Sequence, residues 1–248
     1  MLSASNIPTP NHTSDYSQPT TVVLLPAFAV IENVTPTAVP TLIHEYVNRG
    51  PTNTSPLAPF ALPPSMPVPG SDPPHALTAR PCPHRALILL CSQKTRDARC
   101  GQSAPLIRKE LERHLRPLGL FRDLDDERPG GVGIYFISHV GGHKYSANVM
   151  IYRRPDAFGI DGAARARDGD VAIKNGAAKK PSGAEGGGQA DGGETEGEVG
   201  AAQCIWLGRV KPEDCENLVK YTVLQGKVVK PDQQLRGGFD RARGLMSW

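Results

Sequence analysis

The sequence predicts an α/β fold with a β-α-β-β-α core, accompanied by a disordered N-terminal region and a disordered insertion. Three features support this prediction: apolar runs of strand length, apolar residues that recur at helical spacing, and two long stretches rich in proline or glycine. Of the 248 residues, 24 are proline and 26 are glycine. Because so much of the chain has this composition, we expect one modest core.

The N-terminal region, residues 1–81, is rich in proline, threonine, serine and asparagine. Closely spaced prolines remove backbone donors and favour extended conformations, so we expect this region to be mostly linker-like. Its one apolar run, at residues 21–31, is expected to dock on the core as a short strand, and a short helix is expected near residues 41–48. The run is about half the length of a bilayer span of about 20 residues, so no membrane span is predicted.

The core is expected to begin with the apolar run ALILL at residues 86–90, which is typical of a strand buried on both faces. Cys91 follows at the end of that strand. After a polar loop, Pro105 is expected in the first turn of a helix whose apolar residues recur at helical spacing as far as Leu115.

Three more strands and a second helix are predicted further along the chain. Strands are expected at residues 132–138, 147–152 and 204–210, and the helix at residues 212–224, where a proline stands at the start. Between the last two strands, residues 159–202 consist mainly of small and charged residues. Such a stretch buries too little apolar surface to offset its ordering entropy, so a disordered insertion is predicted.

Charge and cysteine content exclude several classes of protein. The formal net charge is only +3, so no nucleic-acid partner is predicted. Five cysteines form no dense, regular pattern and therefore do not resemble a secreted disulfide scaffold, which favours a reducing compartment. The first twenty residues lack the basic segment of a secretory signal and the arginines of a presequence.

Two pairs of metal-binding residue types follow two of the predicted strands. Cys91 and Cys100 are separated by eight residues, and His139 and His143 by three. Loops at neighbouring strand ends of an α/β sheet lie close together, so the four side chains are expected to meet.

The spacing leaves three interpretations open: a zinc ion, a two-iron cluster, or purely structural side chains. Structural zinc takes its cysteines from a knuckle of about two to four intervening residues, which is tighter than this pair. Rieske centres bind one iron of a [2Fe-2S] cluster through two thiolates and the other through two imidazoles. Neighbouring cations would stabilise thiolates and an anionic cluster. These cations are Lys94, Arg96, Arg99 and Lys144.

Three segments resemble the sucrase/ferredoxin-like family of thioredoxin-like ferredoxins, which includes fungal altered-inheritance-of-mitochondria and actin-patch-distribution proteins. The segments are CSQKTRDARCGQSAPLI, GIYFISHVGGHKYSANVMIY and IWLGRVKPEDCENLVKYTVLQGKVV. The resemblance covers residues 86–152 and 203–248. It implies a thioredoxin-like ferredoxin domain at residues 82–248, in which a [2Fe-2S] cluster is bound by Cys91, Cys100, His139 and His143. The N-terminal region looks shorter than the additional domain expected in the family, which leaves the function of that domain in doubt.

The resemblance implies electron transfer without a substrate-turnover site, and the redox partner is not identified by the sequence. The alternatives are a zinc-stabilised thioredoxin-like interaction module and a thiol oxidoreductase. The absence of a C-x-x-C motif weakens the last.

The chain ends in Met246, Ser247 and Trp248. This tail resembles the C-terminal tripeptide by which cytosolic iron-sulfur proteins engage their assembly targeting complex. The alternative is that Trp248 covers an edge of the core. The tail favours the cytoplasm, whereas one branch of the family is mitochondrial.

The remaining reactive residue types are expected to be structural. Cys82, Cys204 and Cys215 lie in contexts typical of core packing. The carboxylates at residues 123–127 are expected in a solvated loop, and residues 236–238 in an ordinary turn.

Overall fold

A computed structural model describes residues 1–13, 15, 17–71, 75–138, 140–159, 198–244 and 246, without the side chain of His143. Most of the predicted insertion, residues 160–197, lies outside the described residues. So do His139, Ser247 and Trp248.

Ten strands in two sheets make up the framework of the described part of the chain. They are β1 (Thr20–Leu24), β2 (Ala29–Val34), β3 (Ser65–Pro67), β4 (Ala76–Pro81), β5 (Ala86–Cys91), β6 (Phe121–Arg122), β7 (Val132–Ile137), β8 (Val149–Arg153), β9 (Gln203–Leu207) and β10 (Leu235–Asp240). The α-helices are α1 (Val39–Leu42), α2 (Ala98–Leu115), α3 (Cys215–Asn217) and α4 (Pro231–Gln234). None of the described helices has the length and apolarity needed to cross a bilayer.

The larger sheet has the order β10-β9-β8-β5-β7-β6. Strand β5 pairs in parallel with β7 and antiparallel with β8, and β9 is antiparallel to β8. Helix α2 lies in the crossover between β5 and β7, as a parallel connection requires. The α/β class is therefore confirmed.

Strand β5 is the centre of this sheet and is covered on both faces, as its sequence predicts. Ala86, Ile88 and Leu90 belong to the apolar cluster that contains the buried face of α2. Leu87 belongs to a second cluster on the opposite face, with residues such as Phe28 from the N-terminal region. Burial on both faces explains the uninterrupted apolar run.

Helix α2 begins at Ala98, earlier than the proline signal indicates, and Pro105 lies inside it. The side chain of Asp97 caps the helix, accepting a hydrogen bond from the Arg99 backbone N–H at 3.0 Å. An aspartate cap satisfies one of the free N–H groups of the first turn. Cys100 consequently lies in the first turn of a helix and not in the preceding loop.

The N-terminal region differs from the expected linker, because it contains a four-stranded sheet of order β1-β2-β4-β3. The expected docking strand is a hairpin, β1 paired with β2, and the expected short helix is α1 followed by a π-helical turn at Ile43–Val47. This sheet has its own apolar cluster, which includes Ile31, Tyr46 and Leu77. Apolar residues scattered between prolines thus converge in space, and their burial stabilises a region whose composition alone suggests disorder.

The expected turn at residues 236–238 lies instead in β10, which pairs antiparallel with β9. Gly238 has φ +133°, and a Cβ at this position would overlap the backbone carbonyl of Cys204. Glycine therefore lets β10 approach β9 closely enough to extend the sheet.

His84 is buried beside the sheet, with 3% of its surface exposed. Its ring lies against Gly133, where an added Cβ would be 2.7 Å from Cδ2. Burial, followed by the charge of Arg122, lowers the pKa of His84 to about 4. The imidazole is therefore neutral in the native protein at neutral pH.

We expect His84 to reduce stability as the pH falls. The unfolded chain takes up a proton near the ordinary pKa of about 6.5, and the native chain does so only near the lowered value. The free energy of unfolding should consequently fall by about 2.5 kcal/mol between pH 7 and pH 4.5 through this residue. Urea unfolding of wild type and His84→Gln at both pH values measures the effect. The variant should lose less stability over this interval, and an equal loss in both proteins would contradict the assignment.

Candidate metal centre

Cys91 ends strand β5 in the middle of the larger sheet and is 1% exposed. Its backbone N–H donates to the Asn148 carbonyl at 3.0 Å, just before β8 begins. On the other side, the Ser92 N–H donates to the Ile137 carbonyl at 3.0 Å, at the end of β7. The sheet therefore holds the backbone around Cys91 on both sides.

The structure brings Cys100 to Cys91. Cys100 is completely buried in the first turn of α2, and the two thiols are hydrogen-bonded to each other. The eight intervening residues thus form a loop that closes on itself. Cys100 therefore lies where the partial positive charge of a helix N-terminus is concentrated.

The loop that contains the two histidines also reaches the cysteine pair. The backbone N–H groups of Val140 and Gln93 both donate to the Cys91 sulfur. Val140 directly follows His139 in the chain. His139 and the side chain of His143 are outside the described atoms, although the His143 backbone lies in a 3-10 turn, His143–Tyr145. The contact through Val140 joins the cysteine loop to the histidine loop.

The Cys91 thiol is protonated at neutral pH. Burial, reinforced by the Cys100 thiol, raises the pKa of Cys91 to about 11, even though the two backbone donors lower it. A metal cation bound by Cys91 and Cys100 would take the place of the proton and compensate the buried negative charge.

The other three cysteines are buried as free thiols at separate core positions. Burial raises the pKa of Cys204 and of Cys215 to about 12. Cys204 is hydrogen-bonded to Tyr152, and the Cys215 thiol donates to the Ile107 carbonyl at 3.8 Å. Cys82 belongs to the apolar cluster that contains Leu87. These environments favour structural roles.

Three cations surround the ring of Tyr145, two residues after His143. The guanidinium carbon of Arg236 lies 3.7 Å from the ring centroid and that of Arg209 5.4 Å, while the Lys144 ammonium lies at 5.6 Å. Among the described residues, none of the three forms a salt bridge. The sequence does not indicate that Arg209 and Arg236 lie near this loop, because they lie far along the chain and only the fold brings them there. Their positive field favours an anionic group nearby.

The two thiols could supply half of the ligands of a thiolate-bound metal centre. Two buried thiols lie in contact, and two backbone donors point at one of the sulfurs. Within the residues that the structure describes, no group of three or more histidine, cysteine, aspartate or glutamate side chains is arranged to hold a metal ion. The side chains of the two predicted histidine ligands are not among the described atoms.

Gly101, next to Cys100, allows the cysteine loop to pack against α2. A Cβ at this position would lie 2.7 Å from the Lys94 Cβ and 2.9 Å from its Cα. Alanine would therefore push the loop away from the helix and separate the two segments that carry the cysteines.

We expect Gly101→Ala to lower the free energy of unfolding by about 1–3 kcal/mol, because overpacking outweighs the better helix propensity of alanine. Urea unfolding measures the change. Gln102→Ala, one position further along an exposed side of the same helix, is the matched control and should be nearly neutral. A stabilised Gly101→Ala protein would contradict the close packing.

Fold and site together define an α/β protein with a buried thiol pair at the end of its central strand and at the start of the following helix. The profile of the sucrase/ferredoxin-like family matches residues 1–237. The chain belongs to this family.

Curated relatives match parts of the chain. Actin patches distal protein 1 of Saccharomyces cerevisiae is 51% identical over 70 residues, which are 28% of this chain and 22% of the relative. Altered inheritance of mitochondria protein 32 of Clavispora lusitaniae is 27% identical over 191 residues, 77% of this chain and 49% of the relative. The matched segments thus span about half or less of these relatives. No solved structure matches the chain.

Proposed function

We propose that the protein binds a [2Fe-2S] cluster through Cys91, Cys100, His139 and His143 and transfers single electrons. The observation that carries the proposal is the contact network at Cys91. Its thiol is hydrogen-bonded to that of Cys100, and its sulfur accepts the Val140 N–H from the histidine loop. A metal centre between these two loops makes use of all four predicted ligands.

Each part of the site has a role in this function. Cys91 and Cys100 hold one iron as thiolates, and the imidazoles of His139 and His143 hold the other. The Gln93 and Val140 amides donate to the Cys91 sulfur and stabilise its negative charge. With two imidazole ligands, such a cluster supplies a one-electron couple at about −150 to +300 mV. The imidazoles retain ionisable N–H groups, so the potential depends on pH.

The test is a determination of iron, acid-labile sulfide and zinc in the purified protein, with electron paramagnetic resonance after reduction. Equal amounts of iron and sulfide, visible absorption and a signal from the reduced protein are expected. Stoichiometric zinc without colour would overturn the proposal in favour of a zinc-stabilised interaction module. A metal-free protein that exchanges disulfides through Cys91 and Cys100 would overturn it in favour of a thiol oxidoreductase.

The proposed location is the cytoplasm, the mitochondrion or both, in line with the names of the relatives, which refer to mitochondrial inheritance and to actin patches.

The proposed contact between the tail and an iron-sulfur assembly complex stays a prediction, since Ser247 and Trp248 lie outside the described residues. Met246, which is described, is half exposed.

A further inference from the structure

Asn148 lies beside Cys91 on the same face of the sheet. The pairing of β5 with β8 places Leu90 opposite Val149, and the bond from the Cys91 N–H to the Asn148 carbonyl extends this pairing by one residue. Side chains of directly opposed antiparallel residues share a face, with Cβ atoms about 4.5–5.5 Å apart. Asn148 is therefore an immediate neighbour of Cys91.

The orientation of the Asn148 amide is determined by Trp206. The indole Nε1–H lies 3.3 Å from Asn148 Oδ1. An indole nitrogen donates and cannot accept, so the amide atom that faces it has to be the oxygen. Trp206 belongs to β9, and β8 lies between β9 and β5. The oxygen of the planar amide therefore faces Trp206, and Nδ2 is the amide atom that remains to donate to another acceptor.

The Nδ2 group has no hydrogen-bond partner among the described residues, although Asn148 is only 2% exposed. A buried N–H donor without a partner destabilises the fold. The Nδ2 group would have a partner if the site contained a hydrogen-bond acceptor whenever the protein holds its cluster.

We propose that the Asn148 side-chain amide donates a hydrogen bond to a sulfur atom of the cluster at Cys91 and thereby raises the reduction potential. This inference rests on the proposed function. Reduction adds negative charge to the cluster, so a donor to its sulfur stabilises the reduced state more than the oxidised state. Asn148 acts here as a positioning and tuning residue, not as a ligand.

The test compares midpoint potentials of wild type, Asn148→Leu and Trp206→Phe by redox titration. Asn148→Leu should lower the equilibrium constant for reduction roughly tenfold, which for one electron is about 59 mV. Trp206→Phe keeps the amide donor but removes the indole that orients it, and should therefore lower the constant in the same direction by less than Asn148→Leu does. An unchanged potential in Asn148→Leu, or an equal shift in both variants, would overturn the inference.

A second measurement needs no variant. In the reduced wild-type protein, pulsed electron paramagnetic resonance with isotopically labelled asparagine amide should detect coupling between the cluster and this nitrogen. Absence of that coupling overturns the inference while leaving the proposed function intact. A wild-type protein without iron and sulfide would instead overturn the proposed function itself.

Discussion

Replacing Cys91 by alanine is expected to abolish cluster binding. The substitution removes a proposed ligand at the point where the central strand, the first turn of α2 and the histidine loop meet. Changes to residues that merely support metal ligands cost about 10–100-fold in affinity, and loss of a ligand should exceed this. Iron and sulfide per chain should fall to background, together with visible absorption and the signal of the reduced protein.

Cys215→Ala is the matched control for this experiment. Cys215 is also a buried free thiol with a raised pKa, so its substitution removes a sulfur of the same kind from the core. This variant should retain full iron and sulfide. Circular dichroism of both variants shows whether the fold persists. A folded Cys91→Ala protein with an intact cluster would refute the assignment of Cys91 as a ligand.

Replacing His143 by cysteine is expected to keep a cluster but to lower its potential strongly. A thiolate in place of a neutral imidazole adds negative charge, which disfavours the reduced state. Clusters with four thiolates lie near −400 mV and those with two imidazoles at about −150 to +300 mV, so the decrease should be on the order of 200 mV. Redox titration monitored by electron paramagnetic resonance measures the potential and records the changed signal.

The pH dependence provides a second measure of the same substitution. Oxidised iron makes the N–H of a bound imidazole more acidic, so reduction takes up a proton once the pH exceeds the pKa of the oxidised state. The wild-type potential should then fall as the pH rises, by up to about 59 mV per pH unit for one proton and one electron. His143→Cys should show a weaker dependence.

His44→Cys serves as the control, because the His44 side chain is 78% exposed and is paired with Glu45 in the N-terminal region. It introduces a new thiol without touching the proposed centre. Its potential should equal that of wild type. If His143→Cys retains the cluster with an unchanged potential and pH dependence, His143 is not a ligand.

Local patterns of the sequence predicted the elements that are buried on regular faces. The run at residues 86–90 reads as a strand covered on both sides, and β5 is covered on both sides. Pro105 predicts a start of α2 that is several residues too late, because a proline inside a helix resembles one at its start. The cap at Asp97 is the local signal that marks the observed start.

The N-terminal region shows where local patterns are insufficient. Its prolines indicate extended chain, and extended chain is equally compatible with a linker and with strands. Only the convergence of distant residues, such as Ile31 and Leu77 in one apolar cluster, distinguishes the two. That convergence is a property of the folded chain.

The sequence by itself determined the α/β class, the central strand, the family and four candidate ligands, because periodicity, residue type and motif spacing are local properties. The tertiary structure alone decided that Cys100 contacts Cys91, that the Val140 amide reaches the Cys91 sulfur, and that Trp206 orients Asn148. These contacts depend on strand order and register, which join residues far apart in the chain. No local pattern specifies which strands become neighbours, so the surroundings of the ligands emerge only when the sheet forms.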